Sequence, residues 1–239
     1  MATFGHSFRF AGNLLEGTTQ TSKVTLPLRI VFDLTPRLVR RALIPASYLI
    51  FFAGMMASSA TFYRGKSFDL KAAVISDLMS PEDNPHGYGV AAAATAVSGI
   101  LLVPTVILFC RQMRKNRPKL VMAGAVMFAV GLGATIVIGV LSPFTVGYSS
   151  LHIQLAYIAF IGICAGTACH LVAARAAPAL IVVQCGVLLV LVYLYVVPDF
   201  FTNDRLLTSL AFWEWILCVD CGVGLWVVAK VVERHWKNS

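Results

Sequence analysis

The chain is poor in charge. Asp, Glu, Lys and Arg make up only 13% of its 239 residues, about half of the ~25% usual in a soluble domain. A surface with so little charge cannot keep a globular enzyme in solution, and a chain this apolar cannot be disordered. The six cysteines all fall within or at the edges of apolar runs, at Cys110, Cys164, Cys169, Cys185, Cys218 and Cys221. None sits in a long polar loop, which excludes a disulfide scaffold. Cys218-Val-Asp-Cys221 matches C-x-x-C, but it lies in an apolar run without a second such pair and reads as small buried residues. The chain also lacks a phosphate-binding glycine loop, a dinucleotide-binding glycine motif and a nucleophile elbow. Residues 1–42 hold no apolar core followed by a cleavage site. The first long apolar run is therefore expected to act as an uncleaved anchor.

What is there is hydrophobicity. Apolar residues make up 58% of the chain, and mean hydropathy is +0.79. A membrane-spanning helix takes about 20 apolar residues. Six runs qualify, over about 43–63, 89–110, 119–141, 151–173, 177–197 and 210–230. Within a bilayer these must be helices, since no water is present to satisfy open backbone groups. The expected fold is an all-α integral membrane protein, a six-helix bundle over 43–230 with a cytoplasmic segment 1–42 and a tail 231–239. Residues 24–41 mix apolar and basic side chains around Pro27 and Pro36. They read either as a short interfacial segment or as a plain tail.

Charge sets the orientation. The net charge of +8 sits in short segments between apolar runs rather than on a soluble face, so membrane lipids and not nucleic acid are the expected partners. Counting alternate segments, one set carries 15 Lys and Arg and the other 4. The positive-inside rule puts the richer set, and with it both termini, in the cytoplasm. Arg111, Arg114, Lys115, Arg117 and Lys119 form its densest group. A bacterial inner or plasma membrane is the expected location, with an organelle membrane as the alternative.

The candidate functional residues are the polar ones that such a chain can least accommodate. Asp220 falls near the middle of the sixth run, where a carboxylate costs about 2.5–3.5 kcal/mol to insert, so it must face the bundle or a watered cavity. Glu214, between Trp213 and Trp215, sits at an expected aromatic belt. The two acids are separated by about 240° around an ideal helix and make a poor pair. Asp77 and His86 lie in the most acidic outer loop, and His152 opens the fourth run. Gly162, Gly166 and His170 share one helix face, which predicts a close helix contact with His170 bonding across it. Gln184 needs a buried partner, for which Asp220 is a candidate. Gly124, Gly131, Gly133 and Gly139 are expected to pack the third helix.

Ile75-Ser76-Asp77, then Pro81, then the apolar second run resembles the first luminal loop of the DRAM/Frag/Sfk superfamily and of a related bacterial six-span family of unsettled activity. Leu141-Ser142-Pro143 followed by His152 is similar to that bacterial family's third-to-fourth connection. Leu78-Met79 departs from the small residue or glycine that the superfamily's loop tends to carry. The resemblance implies a six-helix membrane protein linked to lipid handling, and it implies no catalytic residue.

The leading expectation is a protein that binds or organises lipids, or supports a membrane protein partner, without catalysis or cofactor. Asp77, His86, His152, Glu214 and Asp220 would meet at an outward-opening cavity. One alternative is a lipid-modifying hydrolase with zinc on His86 and His152, although no H-x-x-x-H or H-E-x-x-H spacing exists. Another is a small transporter driven by protonation of Asp220.

Overall fold

The computed structural model describes residues 34–61, 69, 74–114, 117–144, 150–196 and 206–237. The expectations for residues 1–33, including Pro27, and for most of the 62–73 stretch lie outside the described residues. Among the described residues the regular structure is helical, with no strand. Six long helices follow one another: α1 Pro36–Ser59, α2 Tyr88–Met113, α3 Pro118–Leu141, α4 Ser150–Ala173, α5 Pro178–Val196 and α6 Leu210–Lys237. All except α5 are long and apolar enough to cross a membrane, which points to an integral membrane protein.

Helix starts follow local chemistry. Thr35 caps α1, its hydroxyl accepting from the Leu38 amide at 3.2 Å. Pro36 then occupies the first turn, where its missing N–H costs nothing. The helix therefore begins earlier than the apolar run, and its first turns include a π-helical stretch, Val39–Leu43. α3 and α5 also open on proline, Pro118 and Pro178. Beyond residue 230, α6 runs on to Lys237 instead of ending in a tail. Arg40 of α1 donates to Glu233 there and lies 5.6 Å from the Trp226 ring, with Lys230 at 5.1 Å.

Small residues share the buried faces with large apolar ones, and many branched side chains face outward. In α2 the buried face includes Ala91, Ala92, Thr95, Ser98 and Gly99, while Val97, Ile100, Val103 and Ile107 are exposed. Lipid tails are as apolar as leucine, so branched side chains gain nothing by hiding from them, and small residues let backbones approach. The closest seam joins α3 to α4. A β-carbon on Gly162 would lie 2.7 Å from the Met127 carbonyl and 2.8 Å from Gly131 Cα. One on Gly166 would lie 2.7 Å from the Phe128 nitrogen. Gly139 meets α2 equally closely, 2.6 Å from the Ala92 carbonyl and the Ala96 nitrogen. Gly133, expected to pack, instead has nothing within 4 Å, because it lies on the opposite side of α3.

α5 runs antiparallel to α6. Its early residues Leu180 and Ile181 join the cluster holding Leu225 and Val228, and its later residues Val187 and Leu191 pack with Leu217, Leu210 and Trp213. Gln184 is buried between them, its Nε2 donating to the Asp220 carbonyl at 3.5 Å.

Replacing Gly162 by Ala is expected to cost about 1–3 kcal/mol through forced backbone separation. Gly133→Ala is expected to be neutral or stabilising by up to about 1 kcal/mol. Thermal unfolding of the two detergent-solubilised variants checks the contrast, and equal midpoints would contradict the seam.

Candidate functional site

One end of the bundle is closed by the connection between α1 and α2, and that connection is organised by a buried asparagine. Asn84 is fully buried. Its Nδ2 donates to Ser58 Oγ at 2.6 Å and to the Leu78 carbonyl at 3.1 Å, and its Oδ1 accepts from the Gly87 amide at 3.1 Å. Ser58 Oγ also donates to the Leu78 carbonyl, at 3.0 Å. Gly87 is required by this close approach, since a β-carbon there would lie 2.8 Å from the Ser58 carbonyl. The loop is thereby folded onto the end of α1, with Leu78 and Met79 buried beneath it.

Two carboxylates hold the preceding turn. Asp77 Oδ2 accepts from the Val74 amide and Glu214 Oε2 accepts from the Ile75 amide, each at 3.1 Å. Glu214 thus reaches from the first turns of α6 to tie the loop to that helix. Charged acceptors on backbone amides are among the stronger hydrogen bonds. Burial, aided by the neighbouring Asp83 carboxylate, pushes the Asp77 carboxyl from its ordinary 3.8 up to about 7, against the opposing pull of the Val74 amide.

Under this loop lies a cavity of about 130 Å³, room for about four water molecules. Its wall is mainly apolar, with Phe51, Leu102, Leu132, Ile138 and Phe160 from α1 to α4, and Leu217 from α6. Ile75, Ser76 and Met79 of the loop close one side. Most of the hydroxyls on the wall are already spent on backbone carbonyls. Ser47 Oγ donates to Ser98 O at 2.9 Å, Ser98 Oγ to Thr95 O at 2.8 Å, and Thr135 Oγ1 to Gly131 O at 2.9 Å. The acid–base groups on the wall are Glu214, His152, Tyr48, Cys218 and Cys221. Cys221 Sγ lies 3.2 Å from the buried Cys164 Sγ, and all three of these cysteines are free thiols. An apolar chamber of this volume, well below the about 300–1,000 Å³ of a pocket that encloses a whole ligand, has room for a short stretch of an amphiphile's apolar part, with His152 and Glu214 on its wall.

The five anticipated site residues do not all meet here. His152 and Glu214 line the cavity. Asp77 lies beside it, in the turn that Glu214 holds. His86 is exposed on the loop and lines no part of the cavity, because the Asn84 bonds turn Pro85-His86 outward ahead of α2. Asp220 is buried but lines another part of α6, its carbonyl rather than its carboxylate taking the Gln184 side chain. Asp220 Oδ2 and Gln184 Oε1 have no hydrogen-bond partner among the described residues. His170 does not bond across the glycine seam. Its Nδ1 meets the Gly166 carbonyl of its own helix at 2.7 Å, and its ring lies 5.2 Å from Phe109.

Asn84 carries no ligand or acid–base pattern that would mark it in the sequence. The available signal is the spacing of Asn84 and Gly87, an amide side chain three residues before a glycine at a helix start. Among the described residues no group of three or more His, Cys, Asp or Glu side chains is placed to hold a metal. No family model, curated protein or solved structure matches the chain.

Because the folded state holds the Asp77 proton more tightly than the unfolded chain, stability is expected to fall as pH rises from about 3.8 to about 7 and to level off above. Asp77→Asn, which keeps an acceptor for the Val74 amide, is expected to make this slope shallower by the share that Asp77 contributes. Unfolding midpoints of both proteins between pH 4 and 8 check it, and parallel pH profiles would contradict it.

Proposed function

We propose that the chain crosses the membrane six times and binds a lipid-like amphiphile in the cavity beneath the α1–α2 loop, without catalysis of its own. The observation that carries this reading is the coincidence of Glu214 and His152 on the wall of one mainly apolar chamber inside an apolar bundle. A lipid-handling role is also what the resemblance to the DRAM/Frag/Sfk superfamily implies. α5, about 28 Å long by its residue count, counts as the sixth span because its two ends pack against opposite halves of α6. The excess of Lys and Arg favours placing both termini in the cytoplasm and the loop with the cavity on the other side.

The competing readings find less support. His152 lines the cavity and the exposed His86 does not, which gives a zinc site on that pair no support from the cavity. A protonation-driven transporter would need a path to Asp220, which the cavity does not line.

A protease site inserted beside His86 is expected to be cut only from the extracytoplasmic face, and one after Ser239 only from the cytoplasmic face. Cleavage of both from one face would overturn the six-span topology. For the ligand, native mass spectrometry of the detergent-purified protein is expected to show a retained lipid. Ala156→Phe, which fills the cavity, should reduce its occupancy about tenfold by overpacking. Val182→Phe, at a position 71% exposed on the bundle's outside, should leave it unchanged. Equal retention in the two variants would overturn binding in the cavity.

A further inference from the structure

The opposite end of the bundle holds a second, larger cavity, of about 1240 Å³. Three arginines line it: Arg111 at the end of α2 and Arg117 just before α3, both from the α2–α3 connection, and Arg175 from the remote α4–α5 turn. The end of α6 contributes His235 and Trp236. None of the residues lining it is acidic. Glu233, next to it in sequence, is engaged by Arg40.

A solvated group of topology-setting charges would have no reason to share one concave site. Like charges repel, and free arginines at helix ends spread apart. Here the backbone works against that spreading. Arg175 has φ 51° and Ala177 φ 42°, left-handed conformations that a non-glycine residue adopts at a cost. This strained turn carries Arg175 to the same cavity as Arg111 and Arg117. Arg114 and Lys119 belong to the same run of basic residues in sequence, yet neither lines the cavity. The arrival of Arg175 beside Arg111 and Arg117 is therefore a property of the fold and not of the run.

We propose that this cavity binds a phosphate group, with the guanidinium groups of Arg111, Arg117 and Arg175 as its donors. Planar guanidinium forks match phosphate oxygens in pairs and lose little hydration in doing so. The indole of Trp236, half exposed at the rim, suits the boundary between headgroup and acyl chain, which makes the phosphate of an acidic phospholipid the leading source. Free inorganic phosphate is the other source of the same chemistry. The site is independent of the amphiphile cavity at the opposite end and stands or falls separately from it.

The test uses the full-length protein in a neutral detergent, with short-chain phosphatidylglycerol, short-chain phosphatidylcholine or inorganic phosphate added. Binding is read by native mass spectrometry and by the shift in unfolding midpoint. Phosphatidylglycerol is expected to bind at least about tenfold more tightly than phosphatidylcholine, and less so at high salt. Arg111→Gln/Arg117→Gln/Arg175→Gln should abolish that preference. Arg41→Gln/Arg114→Gln/Lys119→Gln, which removes the same charge outside the cavity, should retain it. The conservative Arg111→Lys/Arg117→Lys/Arg175→Lys protein keeps charge but not the forks and should lose affinity several-fold. It serves as the second variant if the glutamine protein fails to fold. Binding of inorganic phosphate that the cavity variants lose would support the site and assign it to free phosphate. No preference for the anionic lipid and no phosphate binding would overturn the proposal, as would equal loss in the cavity and control variants.

Discussion

Backbone-to-backbone approach at glycine is the contact on which the bundle depends. Between helices in lipid there is no hydrophobic force to spend, so packing must come from close van der Waals contact. At Gly131, Gly162 and Gly166 the main chains of α3 and α4 come so near that one added carbon would overlap backbone atoms. Gly139 does the same between α3 and α2. These seams fix three consecutive helices as a rigid wall. The cavity beneath the α1–α2 loop is framed by that wall, with Gly99, Leu132, Thr135 and Ala159 all on its surface. The polar groups at either end of the bundle act from this fixed frame.

Much of the architecture was legible in the sequence, because the bilayer enforces a simple rule on apolar runs. α2, α3 and α4 begin and end within three residues of the runs that predict them. The first and last helices overrun their apolar stretches for opposite reasons. Pro36 reads as a breaker until it is seen to occupy the first turn after a threonine cap. Past Lys230 the chain turns polar but stays helical, held by the contacts of Glu233 and Trp226 with Arg40. Hydropathy has no term for either effect.

The site was far less legible. Glu214 and the Ile75 amide meet across most of the chain, and the acceptor's partner is a backbone group that no side-chain pattern marks. His170 shares a face with Gly162 and Gly166, as its spacing shows. In the structure, however, its Nδ1 meets the Gly166 carbonyl one turn back in its own helix. Asn84 does the most to shape the loop, and its four partners lie on three different segments. Helix-period reasoning separates Glu214 from Asp220, and the structure places them on different walls for the same geometric reason.

α6 is fastened at both ends by carboxylates. Glu214 holds the Ile75 amide of the first loop, and Glu233 holds Arg40 at the start of α1. The two acids stand about 28 Å apart along the helix axis, close to the hydrocarbon thickness of about 30 Å. α6 therefore works as a gauge with a polar stop at each end. In a thicker bilayer one stop is drawn into hydrocarbon, and in a thinner one apolar helix is left in water. Either mismatch strains a fastening that joins α6 to the α1 hairpin. A bilayer whose core is close to that spacing leaves both fastenings unstrained.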